Sequence, residues 1–143
     1  MENQLVQWLL VGHIFSIVVW IGAIFSLLAI LKTHGQSGAE GQKYFGKLEK
    51  STAISMDMGG MLAIVFGLCL LILPVGGTAI MKGAGFFHVK LLLVLFILFV
   101  HVLIRRSIRK YREGELFKMP GWPFPMTILA VLGIITLIMT RPF

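Results

Sequence analysis

The chain has 143 residues, of which 57% are hydrophobic and only 13% charged. That balance excludes a soluble globular domain and fits one polytopic membrane domain with room for roughly four spans. The net charge of +7 is a topology signal rather than a nucleic-acid one, because the cations cluster in two stretches between apolar segments. Cys69 is the only cysteine, which excludes a disulfide framework and a cysteine-based metal site.

The start, Met-Glu-Asn-Gln, lacks a basic n-region. The apolar run that follows is also too long for a signal peptide, so it is expected to be a retained span. The predicted spans are residues 5–31, 53–73, 86–104 and 123–140. Residues 32–50 read as a polar loop with GQSGAEGQ near its start. Residues 74–85 read as a glycine-rich connector. From Arg105 to Lys118 a basic stretch continues the third helix beyond the membrane. The run MPGWPFP from Met119 to Pro125 ends it, because three prolines do not fit a helix interior. The last span is short unless the Trp122 region sits at the interface. There is no internal repeat.

Lys32, Lys43, Lys47 and Lys50 follow the first span, and Arg105, Arg106, Arg109, Lys110, Arg112 and Lys118 follow the third. The other side holds only Lys82 and Arg141. The positive-inside rule therefore puts both basic stretches in the cytoplasm. The expected fold is an all-α integral membrane four-helix bundle with both termini on the outer side. Its cations face anionic lipid of the bilayer, with no nucleic acid as partner.

Ionisable groups inside such spans are costly and usually face the bundle interior. At a helical rise of about 1.5 Å per residue, His13 lies about 12 Å in from Leu5 and Lys90 about 10 Å in from Gly83. They share a depth in the outer half. Trp20, seven residues after His13, falls on nearly the same face. Lys90, Val94, Ile97, His101 and Arg105 form one stripe on the third span, while His88 points roughly 160° away from Lys90. Asp57 reaches the depth of His101 and Arg105, where a charge pair is expected.

Each of these residues has a plainer alternative. His13 could bond a neighbouring carbonyl, His88 could be interfacial, and Lys90 could snorkel outward. His101 with Asp57 could be a structural pair, His34 a solvated loop residue, and Arg105 to Arg112 a headgroup face. Met58 and Met61, with Met56 nearby, are expected in a core stripe. Gly59, Gly60, Ala63 and Gly67 permit close helix contact. In the functional alternative, two helices presenting His, or His and neutral Lys, at one depth hold a haem iron from both sides. Trp20, Phe86, Phe87, Gly12 and Ser16 could line its slot, and Lys82, Lys90 or the arginines could meet its propionates.

The runs GHIFSIVVWIGAIFSLLAILKTH (Gly12–His34), FGKLEK (Phe45–Lys50), FGLCLLI (Phe66–Ile72) and GFFHVKLLLVLF (Gly85–Phe96) resemble the HemJ-type protoporphyrinogen IX oxidases. His101, thirteen residues after His88, and the closing Arg141-Pro142-Phe143 extend that resemblance over nearly the whole chain. The His-x-Lys-Leu-Leu-Leu block is its most specific part. The resemblance implies a multi-pass homo-oligomer of the bacterial cytoplasmic membrane that binds haem b and oxidises protoporphyrinogen IX. Electrons would pass to a membrane acceptor, with quinone a candidate. It places His13, Trp20, His34, His88, Lys90 and His101 on motif positions. His13 with Lys90 or His88 would ligate iron, Trp20 would line the cofactor, and His101, Trp20 and Asp57 would be the catalytic set. Two family positions differ. Leu27-Leu28-Ala29 stands where the family has Leu-Pro-Arg, and Gly-Trp-Pro-Phe-Pro stands where it has Asn-Glu-x-Pro before the last span. The first change removes a propionate partner, and the second removes a proton acceptor.

Overall fold

A computed structural model describes residues 2–34, 39–72, 85–113 and 120–140. All regular structure among them is helical: α1 (Glu2–His34), α2 (Ala39–Ile72), α3 (Gly85–Arg112) and α4 (Pro123–Thr140). Lys82 and the rest of the 74–84 connector, Lys118, Met119 and Arg141–Phe143 lie outside the described residues. So do the side chains of His34, Phe86 and Phe87.

Three of the helices are long and apolar enough to span a bilayer, as in a multi-pass membrane protein; their apolar parts cover Gln4–Thr33, Lys43–Ile72 and His88–Arg112. Helices satisfy every backbone polar group within the segment, which hydrocarbon demands. Hydroxyls follow the same logic: Ser16 Oγ donates to the Gly12 carbonyl at 2.7 Å and Thr127 Oγ1 to the Pro123 carbonyl at 2.6 Å. The fourth apolar helix is shorter, Pro123–Thr136.

One local reading needs correction, and the last helix begins where its span was expected. The polar stretch 32–50 is not a long loop. α1 runs through His34 and α2 starts at Ala39, so Lys43, Lys47 and Lys50 stand on helix. Spaced four and three residues apart, they share one face. α4 takes in two prolines, beginning at Pro123 and carrying Pro125 in its first turn. First-turn N–H groups have no intrahelical acceptor, so proline is tolerated there. The ladder opens one residue later, with Met126 N–H on the Trp122 carbonyl at 3.2 Å.

α1 and α2 form an antiparallel hairpin with the most extensive interface of the molecule. Small residues make it close. A Cβ on Gly59 would lie 2.8 Å from the backbone nitrogen of Trp20, and one on Gly60 would lie 2.9 Å from Trp20 Nε1. Gly59, Ala63 and Gly67 repeat every fourth residue, so one face of α2 stays flat enough for backbones to approach. Of the expected methionine stripe, Met56 is buried, but Met58 and Met61 are about half exposed, at 50% and 55%. They face away from the fold rather than into it.

α3 and α4 pair separately. Gly133 accommodates Leu93, and Trp122 stacks on Phe99 with centroids 6.5 Å apart. The two hairpins meet more thinly, and they meet at one end. Besides Ala63 and Ala130, the buried core includes Trp20, Ile24, Leu27 and Leu31 from α1, Ala53 and Met56 from α2, and Ile97, Val100, Ile104 and Ile108 from α3. Its larger side chains belong to the half carrying the basic residues. In the other half, over residues 4–15, 64–72 and 88–96, no described side chain is fully buried. Burial is thus concentrated toward the basic end, and the other half, here called the splayed half, is held within each hairpin by contacts such as Gly12–Phe66 and Gly133–Leu93.

Candidate functional site

The polar groups inside the helices fall into two levels. The upper level lies in the splayed half and is built on His13. Its Nδ1 is 2.8 Å from the Ala63 carbonyl oxygen on α2. A carbonyl only accepts, so Nδ1 carries the proton and Nε2 presents a lone pair. The imidazole rests against Gly67, where a Cβ would sit 3.0 Å from its Cε1. Glycine at that position thus admits the ring to the carbonyl four residues earlier. The carbonyl-bonding alternative for His13 is realised, and it is also the arrangement that orients metal-ligating histidines.

Lys90 on α3 lies within electrostatic reach of His13. Lys90 is half-buried and has no hydrogen-bond or ion-pair partner among the described residues. His88, by contrast, is exposed, in keeping with the angular offset between the two. Gly12, with the Phe66 ring 3.1 Å from where its Cβ would be, borders the same level.

The lower level lies roughly 10 Å further along α1, seven residues at the helical rise. Trp20, 3% exposed, donates its indole N–H to His101 Nδ1 at 2.9 Å. Indole nitrogen is a donor only, which fixes His101 as the neutral tautomer protonated at Nε2. That N–H in turn donates to Asp57 Oδ1 at 3.1 Å, and Arg105 donates to Asp57 Oδ2. The expected meeting of Asp57, His101 and Arg105 is present. Trp20 joins it and so connects α1 to the α2–α3 pair. Exposure rises along the chain of contacts, from 17% for His101 to 35% for Asp57 and 46% for Arg105. The network leads from the core toward the basic end.

Residue counting could not tell that Trp20 is engaged in this way. The indole lies 6.1 Å, centroid to centroid, from the His101 ring and packs on Gly60. It does not line the open half. The residue spacing also gave no hint of Ala63 and Gly67 as the support of His13, since that role rests on a backbone carbonyl and a missing Cβ. Among the described residues no group of three or more His, Cys, Asp or Glu side chains comes together as a metal site. No family model, curated protein or solved structure matches the chain.

Proposed function

We propose that the chain is a haem b-binding membrane oxidoreductase resembling the HemJ-type protoporphyrinogen IX oxidases, with both termini on the outer side and its basic end at the cytoplasmic headgroups. The observation that carries this reading is His13: its Nδ1–H is bonded to Ala63 at 2.8 Å, so Nε2 is the free ligand atom. The donor set fits the group. His13 would hold iron from α1, and α3 would supply Lys90 or His88 from across the splayed half. Lys90, where it does not ligate, would attract a carboxylate of a tetrapyrrole.

When bound, haem would accept electrons from the porphyrinogen and hand them to a membrane acceptor such as a quinone. The protein's own residues do the rest. His13 binds and orients, the splayed apolar walls admit a flat hydrophobic ring, and the more buried half closes the floor. His101 and Asp57 hold a proton between Nε2 and Oδ1 on a line toward the basic end, the direction in which substrate protons would leave.

A second reading has its own support. Leu28, where the family carries Pro, is packed in the core, and Ala29, where it carries Arg, is exposed. A b-type cytochrome that relays electrons without oxidising porphyrinogen needs neither missing residue. In a third reading the polar groups only join helices. The test is a reduced-minus-oxidised absorption spectrum of detergent-purified protein, followed by a porphyrinogen oxidation assay. Sharp reduced α and Soret bands with activity support the enzyme, and bands without activity support the relay. A flat spectrum after added haem leaves a polar-stapled bundle.

A further inference from the structure

Trp20, His101 and Asp57 tie three helices together at the place where the splayed half begins. α3 meets the α1–α2 hairpin through few contacts, and His101 and Arg105 are among its polar ties to that hairpin. The bond from Trp20 to His101 has an unusual property. It exists only while His101 Nδ1 carries no proton, because indole N–H cannot accept. A proton taken from solvent at Nδ1 would set two donors against each other across 2.9 Å. The same proton would strengthen the opposite side of the ring, where Nε2–H faces the Asp57 carboxylate.

We propose that the Trp20–His101 bond is a proton-operated latch between the two hairpins. Neutral His101 holds α1 against α3, while protonated His101 keeps Asp57, releases Trp20 and lets the splayed half deepen toward the basic end. The inference stands on the donor-acceptor pattern and needs neither haem nor a porphyrinogen.

The surroundings contain little else that could titrate in its place. α1 presents Trp20, which does not ionise. α2 presents Asp57, α3 presents Arg105, and the sequence of α4 from Pro123 to Thr140 has no ionisable side chain. Among the described residues named at the latch, His101 is therefore the group whose charge changes near neutral pH.

Trp20 reports on the latch directly. In a protein whose other tryptophans are replaced, Trp8→Phe and Trp122→Phe, its emission is read in lipid nanodiscs from about pH 4 to pH 8, the range that brackets histidine. The expected result is a one-proton transition, with the open-to-closed ratio changing about tenfold per pH unit on its acid side. His101→Gln is the decisive variant. A glutamine oxygen can accept from Trp20 while its amide donates to Asp57, so the closed arrangement survives without a titrating ring. The transition should vanish and the closed spectrum persist at every pH. A transition that persists in His101→Gln would assign it to Asp57 and overturn the proposal. So would a flat wild-type titration.

A distance measurement covers the case in which the glutamine variant does not fold. Spin labels at the exposed positions Val18 on α1 and Val102 on α3, in a Cys69→Ala background, should move apart on acidification. An unchanged distance overturns the latch.

Discussion

Gly67 lies directly under the imidazole of His13: a Cβ on it would sit 3.0 Å from His13 Cε1. The histidine reaches the Ala63 carbonyl because α2 has no side chain at that point. Gly67→Ala should therefore push the ring off its acceptor without breaking the helix, since alanine is the better helix former. Supporting hydrogen bonds of this kind typically govern about 10–100-fold in metal affinity. Haem affinity, measured by titrating the apo-protein, should fall within that range while the circular dichroism of the variant stays helical. Wild-type affinity would mean that the Ala63 bond does not orient the ligand.

The crossing of α1 and α2 yields a sharper stability contrast. At Gly59 a Cβ would meet backbone, 2.8 Å from the nitrogen of Trp20 and 3.0 Å from its Cα. Backbone cannot rotate out of the way, so Gly59→Ala should force the helices apart at a cost of about 1–3 kcal/mol, the usual range for overpacking. Gly22 has nothing within 4 Å of its notional Cβ, and Gly22→Ala should stay within about 0.5 kcal/mol of the parent. Reversible denaturation in mixed micelles would measure both. Equal losses would show that the helix pair is softer than its geometry implies.

The sequence disclosed those features that follow from helical periodicity and hydrocarbon length. The apolar runs located the four helices among the described residues, and counting residues along them put Asp57 level with His101. The stripe Lys90–Ile97–His101–Arg105 came from the same arithmetic. Other features depend on atoms that a residue letter does not specify. Ala63 acts through its carbonyl and Gly67 through an absent Cβ, so neither reads as part of a histidine site. Trp20 was legible as facing inward, but its donor role depends on how far α3 leans toward α1. Met58 and Met61 have the spacing of a buried face. Exposure in this case is decided by which side of α2 the Gly59–Ala63–Gly67 ridge gives to α1, and that ridge takes the other side. The stretch 32–50 looked like loop because its polarity hides helix-compatible residues outside the bilayer, where hydropathy is silent about backbone conformation.

Asp57 accepts from two donors, His101 Nε2–H and Arg105, and the two losses can be separated. Asp57→Asn removes the charge and the acceptor facing Arg105, but its remaining oxygen can still accept from His101 Nε2–H. With Asp57 35% and Arg105 46% exposed, the ion-pair part should be worth no more than about 1 kcal/mol. Asp57→Leu leaves the Nε2–H of His101, whose side chain is only 17% exposed, without an acceptor. That should cost about 1–3 kcal/mol. Denaturation of the two variants in the same micelles checks the order. A leucine variant as stable as the asparagine one would show that water replaces the carboxylate.

Under the proposed haem reading, the second axial position turns on α3, because Lys90 and His88 leave the helix in different directions. Lys90 is half-buried, within electrostatic reach of His13, and unpartnered among the described residues. His88 is exposed on a face roughly 160° away, two residues at about 100° each reckoned the short way round. If α3 keeps its rotation when haem binds, only Lys90 can face His13, and ligation by its amine requires the uncharged form. Lys90→Met would then shift the reduced and oxidised bands and alter the reduction potential, because a thioether replaces an amine or the position falls vacant. His88→Gln would leave both readouts unchanged. The reverse pattern would require α3 to rotate by nearly half a turn between the apo and loaded protein. A spin label at Leu92, on the exposed face of that helix, would reveal such a rotation as a changed distance to α1.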